Sequence, residues 1–227
     1  QETWDVDVVL KYFDSLPNNK DLSLKLLSKK LAMLLAIATP KRVSEIAKLD
    51  KNSMQSISNS IKFYLPGLSK TQKDCKSREI FYANYQQNPN PKLCVVDCLL
   101  EYCERTKSFR DADNSNDPLL RTIIKPHKGV TANTVSNWIK DMSHAGIDTT
   151  RFKAHSTRRA ATSKAFRNGT PIDDVLMMAD WSHAGTFFRF YCRSANESIG
   201  FSKTVLDIGQ CMSFEPAMLY LMMFSEI

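Results

Sequence analysis

The sequence predicts a mainly α domain that carries one small antiparallel β-hairpin or sheet. Three observations point there. Apolar residues recur at helical spacing along most of the chain, only two stretches are strand-like in their β-branched and aromatic content, and no run of apolar segments would build a parallel sheet. With 227 residues, 43% of them hydrophobic and 24% charged, the chain can bury a sizeable core. Its longest apolar stretches, Leu31 to Ala38 and Ala217 to Phe224, are eight residues each. A membrane-spanning helix needs about 20.

Taken in order, residues 4 to 16 read as an amphipathic helix, with Val8, Val9, Tyr12, Phe13 and Leu16 before Pro17. Asp21 or Ser23 then caps a helix from Leu24 to Thr39 whose apolar positions nearly surround it, the mark of a central core element. Pro40 breaks it, and Lys41 to Leu49 reads as the next helix. Ile57 to Leu65 and Glu79 to Tyr85 look like paired strands, with Ser69 to Arg78 as a long polar tip. Cys94 to Arg105 is an amphipathic helix, and Arg110 to Asp117 a polar loop. Thr134 to Ala145 looks helical, with Thr131 or Asn133 as cap and Gly146 as stop. Ala154 to Asn168 is another helix, ended by Gly169, followed by shorter ones at Pro171 to Ala179 and Gly185 to Cys192.

The charge balance is +7, and its distribution says more than its size. Between Arg151 and Arg193 lie eight basic residues (Arg151, Lys153, Arg158, Arg159, Lys164, Arg167, Arg189, Arg193) against Asp173, Asp174 and Asp180. Such a concentration suits a polyanion, and nucleic acid is the commonest one. The last twenty residues carry two acids and no Lys or Arg. Six cysteines show no disulfide framework and no metal-ligand spacing, so Cys94, Cys98 and Cys103 read as free thiols on one helix face. The chain opens Gln-Glu-Thr-Trp-Asp, without an initiator Met or a signal peptide, and is expected to be a piece of a longer protein.

Three separated segments hold the candidate chemistry. In Thr39-Pro-Lys-Arg-Val-Ser-Glu, Arg42 and Glu45 can meet on one helix face; alone they would be a surface salt bridge. In His155-Ser-Thr-Arg158-Arg159, His155 and Arg158 point to one side of a helix N-terminus, where free N–H groups and the dipole favour an anion. The third segment runs from Ala179-Asp-Trp181-Ser-His183 to Phe-Arg-Phe-Tyr191; alone, Tyr191 would be one more packed aromatic.

Together, in this order, the segments resemble the catalytic domain of the tyrosine recombinases, also called phage integrases. That family carries an Arg-x-x-Glu/Asp at a helix start, a lysine on a β-hairpin, His-x-x-Arg, a His or Trp, and a tyrosine about one short helix later. Arg42, Glu45, Lys70, His155, Arg158, Trp181 and Tyr191 fall on this pattern. The resemblance runs from about Leu24 to Arg193. The Trp-Asp-Val opening, Cys-Val-Val-Asp and the Trp-Ser…Thr-Phe…Phe-Tyr ending are most similar to eukaryotic mobile-element recombinases of the DIRS, Ngaro and Crypton kinds. Trp181 stands where His is usual, with His183 the other candidate, and the Trp-to-Tyr spacing of ten is one longer than typical.

The resemblance implies breaking and rejoining of double-stranded DNA through a 3′-phosphotyrosyl link to Tyr191, without ATP. Arg42 and Arg158 would clamp the non-bridging oxygens with paired hydrogen bonds, which removes the need for a metal or other cofactor. His155 would take the phenol proton. Lys70 would protonate the leaving 5′-oxygen, with Lys73 as the alternative. Trp181 would donate to the phosphate and pack the tyrosine helix, while Glu45 orients its neighbours. Lys73, Arg151, Lys153 and Arg159 would add contacts to DNA.

The resemblance further implies a catalytic domain over residues 1–207, acting as a homo-tetramer on DNA. It also implies an N-terminal helical clamp domain, expected to lie outside this chain. The Met-rich segment 208–227, which holds Phe214, Met218, Leu221, Met222 and Phe224, would dock into a neighbouring protomer or onto its own core. A eukaryotic host would place the protein in the nucleus, and a bacterial one in the cytoplasm with its DNA. Two rival functions carry different tests. A type IB topoisomerase would relax supercoils without strand exchange, and a domesticated DNA-binding module would bind without cleaving.

Overall fold

A computed structural model describes residues 3–58, 60–65, 78–83, 90–110, 115–142, 145–181, 184, 185 and 187. Among them run α1 (Val6–Ser15), α2 (Leu24–Ala38), α3 (Val43–Ile46), β1 (Gln55–Ile57), β2 (Ser60–Leu65), β3 (Arg78–Ala83), α4 (Val95–Arg105), α5 (Ala132–Met142), α6 (Ser156–Arg167) and α7 (Ile172–Met178). No described helix is long and apolar enough to cross a membrane.

α2 is the hub. Ser23 caps it by accepting from the Leu26 N–H at 3.3 Å, and every residue from Lys30 to Ala36 is buried. It packs against α3, α4, α5 and α6, so its all-round apolar pattern is answered by neighbours on every side. Even its polar members are satisfied. The buried Lys30 donates from Nζ to Asn19 Oδ1 at 2.8 Å and lies 5.6 Å from the Phe13 ring. Burial pulls its pKa down. At the other end, the Thr39 hydroxyl donates to the Leu35 carbonyl at 3.2 Å and sits 3.1 Å from the Tyr82 hydroxyl, tying α2 to the sheet.

The sheet is antiparallel in the order β1-β2-β3. Ile61, Phe63 and Leu65 alternate into the core from β2 and meet Tyr82 and Ile80 of β3 across the register pairs Ile61↔Tyr82 and Phe63↔Ile80. The expected single strand from Ile57 to Leu65 is broken. Ser58 takes a left-handed φ of 42°, so the chain reverses there and β1 folds back on β2 as a third strand.

One other expectation needs correction, and a second gains detail. The helix expected over Lys41 to Leu49 is regular only at α3, which starts late because Arg42 stays extended and the Lys41 N–H reaches back to the Thr39 carbonyl at 2.7 Å. The polar loop expected over Arg110 to Asp117 is anchored at both described ends. Asp117, 6% exposed, accepts from Arg110 Nη1 at 2.6 Å and from Arg121 Nη2 at 2.7 Å. Three charges in one buried cluster are tolerated because each is paired and hydrogen-bonded. Elsewhere the boundaries of the described helices shift by at most three residues. Cys94 rather than a residue before it caps α4, Thr131 Oγ1 accepts from the Thr134 N–H at the start of α5, and Gly169, at φ 94°, ends α6.

Candidate active site

Arg42 stands at the N-cap of α3, the point at which the chain leaves the buried α2 and turns to the surface. Glu45, 9% exposed, accepts from the Arg42 backbone N–H through Oε2 at 2.7 Å and faces the Arg42 guanidinium through Oε1 at 3.4 Å. One carboxylate thus caps the helix and holds the arginine. The ion pair is long, and a guanidinium carries five N–H donors, so capacity for an anion remains.

α6 supplies the second half. Its start is braced from the far end of the chain, where Trp4 Nε1 donates to Ser156 Oγ at 3.0 Å, and Lys164 pairs with Asp7 of α1. His155 occupies the N-cap and is exposed, while Arg158 lies one turn in and is half-buried. The expected free N–H groups at this terminus are not free. The Ser156 and Thr157 amides donate to the Lys153 and Ala154 carbonyls at 2.8 and 3.2 Å, because the chain enters α6 through a tight turn. Positive charge here comes from the guanidinium, not from open amides.

The turn after α7 closes over Arg158. The Ala179 carbonyl accepts from Arg158 Nη2, and the guanidinium carbon lies 4.7 Å from the centre of the Trp181 ring, a cation–π distance. Trp181 in turn lies 6.0 Å, centre to centre, from Phe187, which meets Phe166 of α6 edge-on at 5.3 Å. Between these elements lies a cavity of about 330 Å³ lined by Ala36, Lys41, Arg42, Ala154, His155 and Arg158, among others. Two arginines and a histidine around one partly open cavity are suited to a phosphodiester-sized anion.

The sequence-predicted residues divide cleanly. Arg42, His155 and Arg158 converge on the cavity, Glu45 holds Arg42, and Trp181 stacks on Arg158. Arg151 and Lys153 are exposed in the turn before α6, and Arg159 is half-buried on α6; none of the three lines the cavity. Lys70, Lys73, His183 and Tyr191 lie outside the described residues, as does the segment 208–227. Among the described residues no three His, Cys, Asp or Glu side chains cluster as metal ligands would.

Two contributors escaped the sequence reading. Lys41 is buried and its Nζ donates to Asp180 Oδ2 at 2.9 Å, across 139 residues of chain. No spacing rule links residues so far apart. The Trp4–Ser156 bond is equally remote in sequence.

The phage integrase family model matches residues 10–198. Solved structures similar in fold include the XerH site-specific recombinase bound to its difH substrate in a post-cleavage complex, at TM-score 0.62 and 13% identity over 88% of this chain and 53% of that one. The XerA recombinase matches at TM-score 0.58 and 16% identity, over 90% and 63%. A lambda integrase dimer bound to a COC′ core site matches at TM-score 0.53 and 14% identity, over 86% and 61%. The chain therefore spans about half to three-fifths of the length of these solved recombinases. No curated protein sequence matches it.

Proposed function

The chain belongs to the phage integrase family, and on that premise we propose that it breaks and rejoins double-stranded DNA as the catalytic domain of a tyrosine recombinase. The observation that carries this reading is the convergence of Arg42, His155 and Arg158, from segments more than a hundred residues apart, on one cavity beside Trp181.

The reaction assigns each group one task. The Tyr191 oxygen attacks the phosphorus in line as its proton passes to the His155 imidazole. A P–O bond to tyrosine forms and the bond to the 5′-oxygen breaks, that oxygen taking a proton from Lys70 or Lys73. Arg42 and Arg158 hold the non-bridging oxygens while charge builds on them. Glu45 keeps Arg42 in place, and Trp181 does the same for Arg158. The ester energy stays in the phosphotyrosyl bond, so the reverse attack by a 5′-hydroxyl rejoins the strand. Arg151, Lys153 and Arg159 add phosphate contacts that strengthen binding without entering the chemistry.

The finer assignment rests on sequence. The Trp-Asp-Val opening and the Trp-Ser…Phe-Tyr ending favour a eukaryotic mobile-element recombinase of the DIRS, Ngaro or Crypton kind, working in the nucleus as a tetramer on DNA. Residues 1–207 would be the catalytic domain and 208–227 a segment exchanged between protomers.

The test is a DNA duplex nicked near the cleavage site, so that the cut strand loses a short fragment and the adduct is trapped. Wild-type protein should form a covalent protein–DNA species in the presence of EDTA. Strand cleavage that needs a divalent metal and leaves no adduct would point to a nuclease instead. Relaxation of supercoiled DNA with no strand exchange in any assembly would point to a type IB topoisomerase.

A further inference from the structure

Two helices of this molecule end in the same hydrogen-bond pattern with different residues at the critical position. After α6, the Gly169 and Thr170 amides donate back to the Phe166 and Ala165 carbonyls, both at 3.0 Å. After α7, the Asp180 and Trp181 amides donate back to the Met177 and Leu176 carbonyls at 3.2 and 2.9 Å. This closure requires a left-handed residue, and glycine is its natural occupant. Gly169 fits, at φ 94°; at the second site an aspartate adopts φ 50°. A side chain in that conformation is strained relative to glycine, so its retention calls for something only the side chain can do.

The Asp180 carboxylate accepts from Lys41 Nζ at 2.9 Å, with the two side chains 13% and 7% exposed. Lys41 is the residue before Arg42. The neighbours of Asp180 grip the other arginine, Ala179 through its carbonyl and Trp181 through its ring. Three consecutive residues thus tie the Arg42 segment to Arg158. Electrostatics reinforces the point, because an unpaired Asp180 beside the cavity would compete for the guanidinium N–H groups that an anion needs, and an unpaired Lys41 would be a buried charge.

We propose that the Lys41–Asp180 ion pair is a positioning device that fixes the turn 179–181, and with it Trp181 and Arg158, relative to Arg42. Lys41 borders the cavity, but its ammonium and the Asp180 carboxylate are engaged with each other, and the pair acts through its neighbours. The proposal rests on the recombinase reading for its effect on rate, but not for its effect on Trp181.

The decisive variant is Lys41→Met with Asp180→Gly. It removes both charges of the pair together and puts glycine at the left-handed position, so it should fold. The full chain, labelled with 5-fluorotryptophan, gives one ¹⁹F line each for Trp4, Trp138 and Trp181, the last identified by its loss in Trp181→Phe. In the double variant the Trp181 line should shift or broaden while the other two stay in place. Adduct formation at saturating DNA should slow by about tenfold or more, since small misplacements of reacting groups are amplified in rate. DNA affinity should stay within about threefold, because binding is spread over many phosphate contacts. An unmoved Trp181 line, or a wild-type rate at saturation, overturns the proposal. If wild type itself forms no adduct, the recombinase reading fails, and the Trp181 line alone decides whether the pair positions the turn.

Discussion

Arg42 and Arg158 reach one cavity from opposite ends of the chain, each held by a different device. Glu45 caps and pairs the first; the Ala179 carbonyl and the Trp181 ring hold the second. Groups fixed before the substrate arrives act mainly on the transition state, where charge is greatest. Arg42→Ala and Arg158→Ala should therefore each slow cleavage by about 10²–10³ at saturating DNA, while affinity changes only a few-fold. Loss of binding with cleavage intact at saturation would reverse that assignment. Sequence alone paired Arg42 with Glu45 through their spacing of three and placed His155 and Arg158 on one turn. It did not pair Lys41 with Asp180, because long-range contacts leave no local pattern. A local sign did exist, since the α7 segment has no glycine stop and Asp180 takes its place.

Helices with strong apolar periodicity were legible, as α1, α2, α4 and α5 show, with ends displaced by at most three residues. The break at Ser58 was not, because a left-handed serine has no sequence mark comparable to glycine. Nor was the cluster of Arg110, Asp117 and Arg121, which looks like a solvated loop until the fold buries it. That cluster joins the end of α4 to the segment 117–121. Asp117→Ala would leave two buried guanidiniums without their carboxylate, and should destabilise the domain by about 3–5 kcal/mol in chemical denaturation; a change under 1 kcal/mol would mean that the cluster opens to water at no cost. α4 supplies a pH test as well. Burial pushes the Cys98 thiol up to about 12, above its unfolded value, so the folded chain keeps a proton that the unfolded chain releases. The contribution is intact below the unfolded value and is lost as pH rises toward 12. Cys98→Ala should accordingly flatten the alkaline fall in stability, and in the native protein Cys98 should resist alkylation. Rapid labelling of Cys98 without unfolding would show that α4 opens locally.

At the scale of the whole molecule, the fold serves to bring distant segments of charge together. α2 fills the centre, so the chain before it, the turn after it and α6 are all held against one hub, and Trp4 braces the start of α6 directly. On the proposed reading, the net charge of +7, with eight basic residues in the sequence between Arg151 and Arg193, attracts the DNA polyanion. Binding should consequently weaken steeply with salt, with a log–log slope of several units, while the adduct rate at saturation barely changes. The family match spans residues 10–198 and so takes in Tyr191. The central claim is that this tyrosine attacks a phosphodiester seated among Arg42, His155 and Arg158. Mass spectrometry of the trapped adduct, after nuclease trimming and proteolysis, tests it most directly. A nucleotide remnant is expected on the peptide carrying Tyr191, absent in Tyr191→Phe although that variant still binds DNA. A remnant on another residue, or an undiminished adduct in Tyr191→Phe, would contradict it.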